Sequence, residues 1–307
     1  MSADEAWRQA MARAEVLLQE GEAAEDMSVI ADAVSGFNTA LKLTSRASMP
    51  LDWAKTQTRL SAALRALAAR IDDPVMLHAA ITACDAALEV YSPRTRPQDW
   101  ARTMALLGAA QIVLGERDSD PIWLQAALNS YRVATTVYTR EAAPNDWARM
   151  QRNSGAALSL LGERTGDTAA LRDAVDHYLA ALDEYMLQDS PLDLAITHSN
   201  LGQALRVLGE RDSDRNILAE AVAACRAALE VYTSDATPLE WAMASTNLAN
   251  ALVALAATET TSEHLEEAIA IYRGALATLD GPARVQQRAI ARYNLKRAEQ
   301  RLSALRG

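Results

Sequence analysis

The stretch from Pro191 to Thr237 reads PLDLAITHSNLGQALRVLGERDSDRNILAEAVAACRAALEVYTSDAT, and its landmarks return through the chain at a spacing of 47 residues. The opening proline recurs as Pro50, Pro97, Pro144 and Pro238. Three positions on stand Trp53, Trp100, Trp147, Leu194 and Trp241. Each is followed by alanine (Ala54, Ala101, Ala148, Ala195, Ala242) and preceded by an acid (Asp52, Asp99, Asp146, Asp193, Glu240). Asp26 and Phe37 extend the register toward the N-terminus, and Asn294-Leu295 carry it into the tail. A fixed period without insertions marks a repeat architecture, in which one unit buries its apolar face only by stacking on the next.

Each period predicts two helices. The first opens at Pro-x-Asp/Glu-Trp, where proline lacks only a dispensable N–H and the acid meets the positive end of the helix dipole. Ser190-Pro-Leu-Asp193 and Thr237-Pro-Leu-Glu240 read as capping boxes or close to them. The first helix is expected to close at Leu-Gly, with Gly115, Gly162 and Gly209 as left-handed end residues. The second helix starts at a further register of good N-caps: Asp26, Asp73, Asp120, Asp167, Asp214 and Thr261. Within it, Ala127, Tyr131 and Ala134, then Ala174, Tyr178 and Ala181, then Ala268, Tyr272 and Ala275 share one face at spacings of four and three. Small residues let two helices approach, and the ring fills the remaining gap. The expected fold is all-α, one solenoid domain over 1–307. Its hairpins fall at about 3–49, 50–96, 97–143, 144–190, 191–237 and 238–282, with a capping helix at 283–306.

The residues Leu201-Gly202-x-x-Leu205 with Ala221-x-x-x-Cys225, and Leu107-Gly108 with Ala127 and Tyr131, resemble the tetratricopeptide-repeat signature. The resemblance covers nearly the whole chain. It implies a right-handed α-solenoid of six helical hairpins plus a C-terminal capping helix. The period of 47 exceeds the usual tetratricopeptide period of about 34, and the tryptophan that usually precedes Leu-Gly is missing. In this respect the chain is similar to the long-period kinesin-light-chain and Pins-like branches.

Composition agrees with a packed helical protein: half the residues are apolar, a single Phe occurs, and Ala and Leu dominate. The formal charge of −10 argues against general nucleic-acid binding. No apolar run is long enough to span a bilayer, so no membrane insertion is expected. The acids near Met1 do not resemble a signal peptide, which makes the cytoplasm the default compartment. Cys84 and Cys225 occupy equivalent positions three repeats apart and are expected to be buried thiols without a disulfide.

No catalytic chemistry is legible. His78, His177, His198 and His264 fall at unrelated repeat positions without metal-ligand spacing. No His-x-x-x-His, Cys-x-x-Cys, Gly-x-Ser-x-Gly or phosphate-binding glycine loop occurs. The Gly-Glu-Arg triplets at 115–117, 162–164 and 209–211 recur at successive turns, whereas an active site is normally built once. They are read as structural, with the cation near helix C-terminal carbonyls. Accordingly the chain is not expected to be an enzyme or to need a cofactor or metal.

Charge segregation points elsewhere. On the first helix of the fifth hairpin, Leu194, Ala195, Leu201, Gly202, Leu205 and Leu208 gather on one side of the wheel. Ile196, Ser199, Asn200, Gln203, Arg206 and Val207 lie opposite, the face that lines the concave groove in tetratricopeptide proteins. Carried through seven units, those six positions include ten bases (Arg8, Lys55, Arg59, Arg65, Arg102, Arg149, Arg152, Arg206, Arg297, Arg301) and one acid, Glu15. A basic face on an acidic protein suits an anionic partner, although bases could also simply avoid the acid-rich helix starts.

Asn153, Asn200, Asn247 and Asn294 form a ladder on this face, able to donate to and accept from an extended peptide backbone or to bond a neighbouring hairpin. Candidate peptide-binding residues are therefore Asn153, Asn200, Asn247, Asn294, Asn250, Gln203, Arg59, Arg102, Arg149, Arg152 and Arg206. The expected function is a scaffold or adaptor holding an extended acidic or phosphorylated segment of a protein. The alternatives are self-association through an acidic N-terminal region (1–41) and the basic closing helix, or a regulatory module for a separately encoded effector.

Overall fold

The structure, a computed structural model, describes residues 2–71, 73–258, 262–279 and 284–306. Every regular element among them is helical. Helices α1 (Ala3–Ala23), α2 (Met27–Lys42), α3 (Pro50–Ala68), α4 (Pro74–Leu88), α5 (Pro97–Arg117), α6 (Ile122–Ala134) and α7 (Pro144–Thr165) come first. They are followed by α8 (Thr168–Leu187), α9 (Pro191–Asp212), α10 (Arg215–Leu229), α11 (Pro238–Leu255), α12 (Glu263–Thr278) and α13 (Val285–Arg306). A short 3-10 turn, Ala256–Thr258, follows α11. The chain divides into two compact units, Met1–Ala157 and Leu158–Gly307, with the boundary inside α7.

Helices α1 and α2, α3 and α4, α5 and α6, α9 and α10, and α11 and α12 pack as hairpins, and α2, α4, α8, α10 and α12 also pack on the helix that follows. Five first helices open on the periodic prolines. The aspartate caps form as the pattern predicts. Asp26, Asp73, Asp167 and Asp214 accept N–H bonds of 2.8–2.9 Å from the residue two positions on. Asp120 accepts from the Ile122 N–H at 2.9 Å, Pro121 standing between them. The sixth expected cap, Thr261, lies outside the described residues, as do residues 280–282 at the end of the sixth expected hairpin and residue 283 at the start of the expected closing helix.

Two local expectations fail. Ser190 and Thr237 make no side-chain bond to the helices they precede, so the capping boxes do not form. The Thr237 hydroxyl is held instead by the turn before it, accepting from the Thr233 N–H at 3.0 Å and donating to its carbonyl at 3.3 Å.

Gly115, Gly162 and Gly209 do not end their helices either. Helix continues past each, to Arg117, Thr165 and Asp212, and the left-handed residues are Glu25, Gly166, Asp189 and Ser213. These glycines serve close approach. A Cβ at Gly115 would lie 2.7 Å from Leu124 Cδ2, and one at Gly209 2.8 Å from Leu218 Cγ. At Gly162 it would meet the Asp167 carbonyl oxygen at 2.8 Å. Only glycine lets the second helix start so near the end of the first.

The core follows the repeat. Phe37, Cys84, Tyr131, Tyr178, Cys225 and Tyr272, one per hairpin at one register position, are all buried. Trp53 packs with Ala87, Tyr91 and the next hairpin's Trp100, and Trp241 with Ala195, Ala228 and Tyr232 of the preceding hairpin. Both cysteines are buried and free.

Candidate functional site

Two arginines of the Gly-Glu-Arg triplets bond to neighbouring backbone. Arg117 Nη2 reaches the Ala68 carbonyl at 2.5 Å, and Arg211 Nη2 the Glu163 carbonyl at 2.6 Å. Each guanidinium thus crosses to carbonyls left unpaired at the end of the preceding first helix, where the dipole favours a cation.

Polar side chains on successive first helices tie those helices together. In the first unit, Trp7 Nε1 donates to Thr56 Oγ1 at 2.9 Å, and Thr58 and Thr103 hydroxyls meet at 3.2 Å. In the second, Asn247 Nδ2 donates to Ser199 Oγ at 3.1 Å and Asn294 Nδ2 to Asn250 Oδ1 at 2.9 Å. Two rungs of the asparagine ladder are therefore used between helices. One of the six face positions is misplaced: Val207 is buried against Leu171 and Leu208, because first helices pack on both flanks.

A cavity in the second unit has a volume of about 780 Å³, within the range of binding clefts. It brings together Arg206, Asn250 and Asn294 from the expected set and adds Arg297, Arg301, Tyr272 and Glu210. Arg206 on α9 is held by Glu210 one turn on, at 2.7 Å, and its side chain is only 19% exposed. Arg301 Nη1 donates to the Val253 carbonyl at 3.4 Å, and the Arg297 guanidinium stacks 5.8 Å from the Tyr293 ring centre. The Tyr272 hydroxyl donates to Asn250 Oδ1 at 2.5 Å, so Asn250 accepts from both Tyr272 and Asn294.

Burial pushes the Tyr272 phenol above its ordinary range, opposed by the charges of Arg206 and Arg297. It is a donor at neutral pH, not a base. Three guanidinium groups face one carboxylate, so the cavity presents net positive charge in a protein of formal charge −10. Such an array can donate charge-assisted hydrogen bonds to an anion.

The remaining expected residues fall elsewhere. Asn200 and Gln203 are half-buried on α9 and do not line this cavity, nor does Asn247. In the first unit, Arg59 and Arg102 border a smaller cavity of about 230 Å³ with Lys55, Arg96, Asp52 and Asp99. Arg59 also pairs with Glu15 at 3.1 Å. Arg149 pairs with Asp146 one turn earlier, and Arg152 and Asn153 are half-buried near the ring of Tyr131.

Sequence reasoning missed Tyr272, read as core, and Glu210, read only as part of a turn triplet. The signal for Glu210 was its position four residues after Arg206, the spacing of a helical ion pair. Among the described residues no group of three or more His, Cys, Asp or Glu is placed to hold a metal ion, and no helix is long and apolar enough to cross a membrane.

No protein-family model and no curated protein matches the chain. Among solved structures it is similar to BtubC (BKLC) from P. vanneervenii, at 14% identity, covering 92% of this chain and 95% of that one with a TM-score of 0.46. It is also similar to the complex of the TPR2AB domain of yeast Sti1 with pHSP90, at 18% identity, covering 98% and 99% of the two chains with a TM-score of 0.31.

Proposed function

We propose that this chain is a protein-interaction module whose first-helix face receives an extended acidic segment of a partner protein. The observation that carries this reading is the cavity of about 780 Å³ in which Arg206, Arg297 and Arg301 meet one acid, Glu210. In that position the arginines select carboxylates or phosphates. The amides of Asn250 and Asn294, together with Gln203, Asn200 and Asn247 on the same helix faces, offer donors and acceptors suited to a peptide backbone. Arg59, Arg102, Arg149, Arg152 and Asn153 extend the same chemistry to first helices of the other unit.

The basic closing helix fits a capping role better than a free docking surface. Arg306 pairs with Glu266 and Arg273 with Glu299, both at 2.7 Å, fastening α13 to α12.

Selection from a randomised displayed-peptide library tests the reading. The chain should enrich Asp, Glu or phosphorylated residues, and an Arg297→Glu/Arg301→Glu variant of unchanged helicity should lose that enrichment. Enrichment of basic or purely apolar peptides by the wild-type chain would count against it.

A further inference from the structure

The three guanidinium groups of the second-unit cavity are not in the same state. Arg206, with a side chain 19% exposed, already holds a carboxylate: Glu210, itself 46% exposed, reaches it from one turn on at 2.7 Å. Among the described residues, neither Arg297 nor Arg301 pairs with a carboxylate. Arg297 lies over the Tyr293 ring, and Arg301 Nη1 reaches the Val253 carbonyl at 3.4 Å. That contact is long for a charged donor, whose strong bonds run at about 2.7–2.9 Å.

Helix packing does not call for these two charges. Arg297 and Arg301 stand one helical turn apart on α13, and the first helices from α3 to α11 are neutral at both positions. On α9 they are Gln203 and Val207, and on α11 Asn250 and Ala254. The ion pairs that fasten α13 to α12 use Arg306 and Glu299 instead. Tyr272, Asn250 and Asn294 bond one another and form a fixed wall beside the two arginines.

The charge balance then selects the ligand. A carboxylate from a peptide brings one charge, and at Arg206 it only replaces the carboxylate already there. A phosphate monoester brings a charge of about −1.5 to −2 and three acceptor oxygens. It can engage Arg297 and Arg301 together and still compete for Arg206, and the exposed Glu210 carboxylate can return to water when displaced.

We propose that the cavity is a pocket for a phosphorylated serine or threonine of the bound segment, a proposal that rests on the peptide reading above. Arg297 and Arg301 hold the phosphate, which takes Arg206 from Glu210. Glu210 is thereby the residue that discriminates phosphate from carboxylate: it occupies Arg206 in the free chain and yields only to the more highly charged group.

The test uses the full chain, immobilised, and three peptide libraries at constant ionic strength. They share randomised flanks and differ only in a fixed central residue: phosphoserine, Glu or Ser. The wild-type chain should retain the phosphoserine library about tenfold better than the Glu library, the worth of one further charge-assisted bond. The Ser library should stay near background. Glu210→Gln keeps the shape and removes the competing charge, so retention of the Glu library should rise and the preference should shrink severalfold. Arg297→Gln/Arg301→Gln should bring the phosphoserine library down to the level of the Glu library. Each variant is compared at unchanged helicity and melting temperature.

Equal retention of the phosphoserine and Glu libraries by the wild-type chain, both above Ser, would overturn the phosphate assignment and leave the acidic-segment reading standing. Retention of neither above Ser would overturn both. A preference unchanged in Glu210→Gln would overturn the role given to that residue. Elution of the phosphoserine library by inorganic phosphate at no more than the peptide concentration would assign the cavity to free phosphate and overturn the peptide-borne source.

Discussion

Arg117 Nη2 lies 2.5 Å from the carbonyl oxygen of Ala68, the last residue of the first helix one repeat earlier. The same guanidinium also reaches the Ile71 carbonyl at 3.2 Å. One side chain therefore ends its neighbour's helix and fastens two repeats together. Replacing Arg117 with Met keeps the aliphatic stem and removes the donors. It should cost about 1.5–3 kcal/mol, the usual worth of a hydrogen bond involving a charged group, measured by chemical denaturation.

The helical glycines give a sharper contrast. Gly162→Ala gains helix propensity, but its Cβ would meet the Asp167 carbonyl at 2.8 Å, and backbone cannot yield as a flexible side chain can. A net loss of about 1–3 kcal/mol is expected from overpacking. Gly274 is the control: an added Cβ there meets nothing nearer than Trp241 at 3.7 Å. Gly274→Ala should stabilise by about 0.5–1 kcal/mol. Equal effects at the two sites would remove close approach as the reason for Gly162.

Acid should loosen the start of α2 before the core responds. The Ser28 hydroxyl and the Ser28 and Val29 N–H groups donate to Asp26 and hold its carboxyl below the ordinary value. A carboxyl lowered in the folded state adds stability above its unfolded range, and that stability fades as pH falls through the folded value. Amide exchange at Ser28 and Val29 should therefore quicken on acidification. Asp26→Asn, which still caps but does not titrate there, should show no such dependence.

Both thiols should be silent in the native protein. Burial pushes Cys84 and Cys225 up to about 12, with a contact of 3.0 Å to Ser61 only partly opposing this at Cys84. A chromogenic thiol reagent should label neither at neutral pH and both after denaturation. Fast labelling of the native chain would show the second helices to be less well packed than described.

The helix starts were legible because proline and aspartate act locally: Pro50 to Pro238 and the Asp caps act through their own backbone and the next turn. The Leu-Gly pairs misled because a helix stop and a close helix contact both select glycine. The left-handed residues stand further along, at Gly166 and Ser213. The division within α7 left no trace, since the period of 47 runs through it without a change of composition. Of the second-unit cavity, Arg206, Asn250 and Asn294 were legible from one helix wheel, with Arg297 and Arg301 on the same face. Tyr272 was not, because a ring that fills the core and a ring that presents a hydroxyl to a cavity have the same helical spacing.

The central claim is that the basic cavity of the second unit binds acidic protein segments. Its most direct test is a fluorescence-anisotropy titration of one library-selected acidic peptide, at low and high salt, against the wild-type chain and the Arg297→Glu/Arg301→Glu variant. Wild-type affinity should fall as salt rises, since the pairs formed are partly exposed. The variant should bind weakly at both salt levels while keeping its melting curve. Undiminished, salt-independent binding by a folded variant would contradict the account and place the binding surface away from Arg206, Arg297 and Arg301.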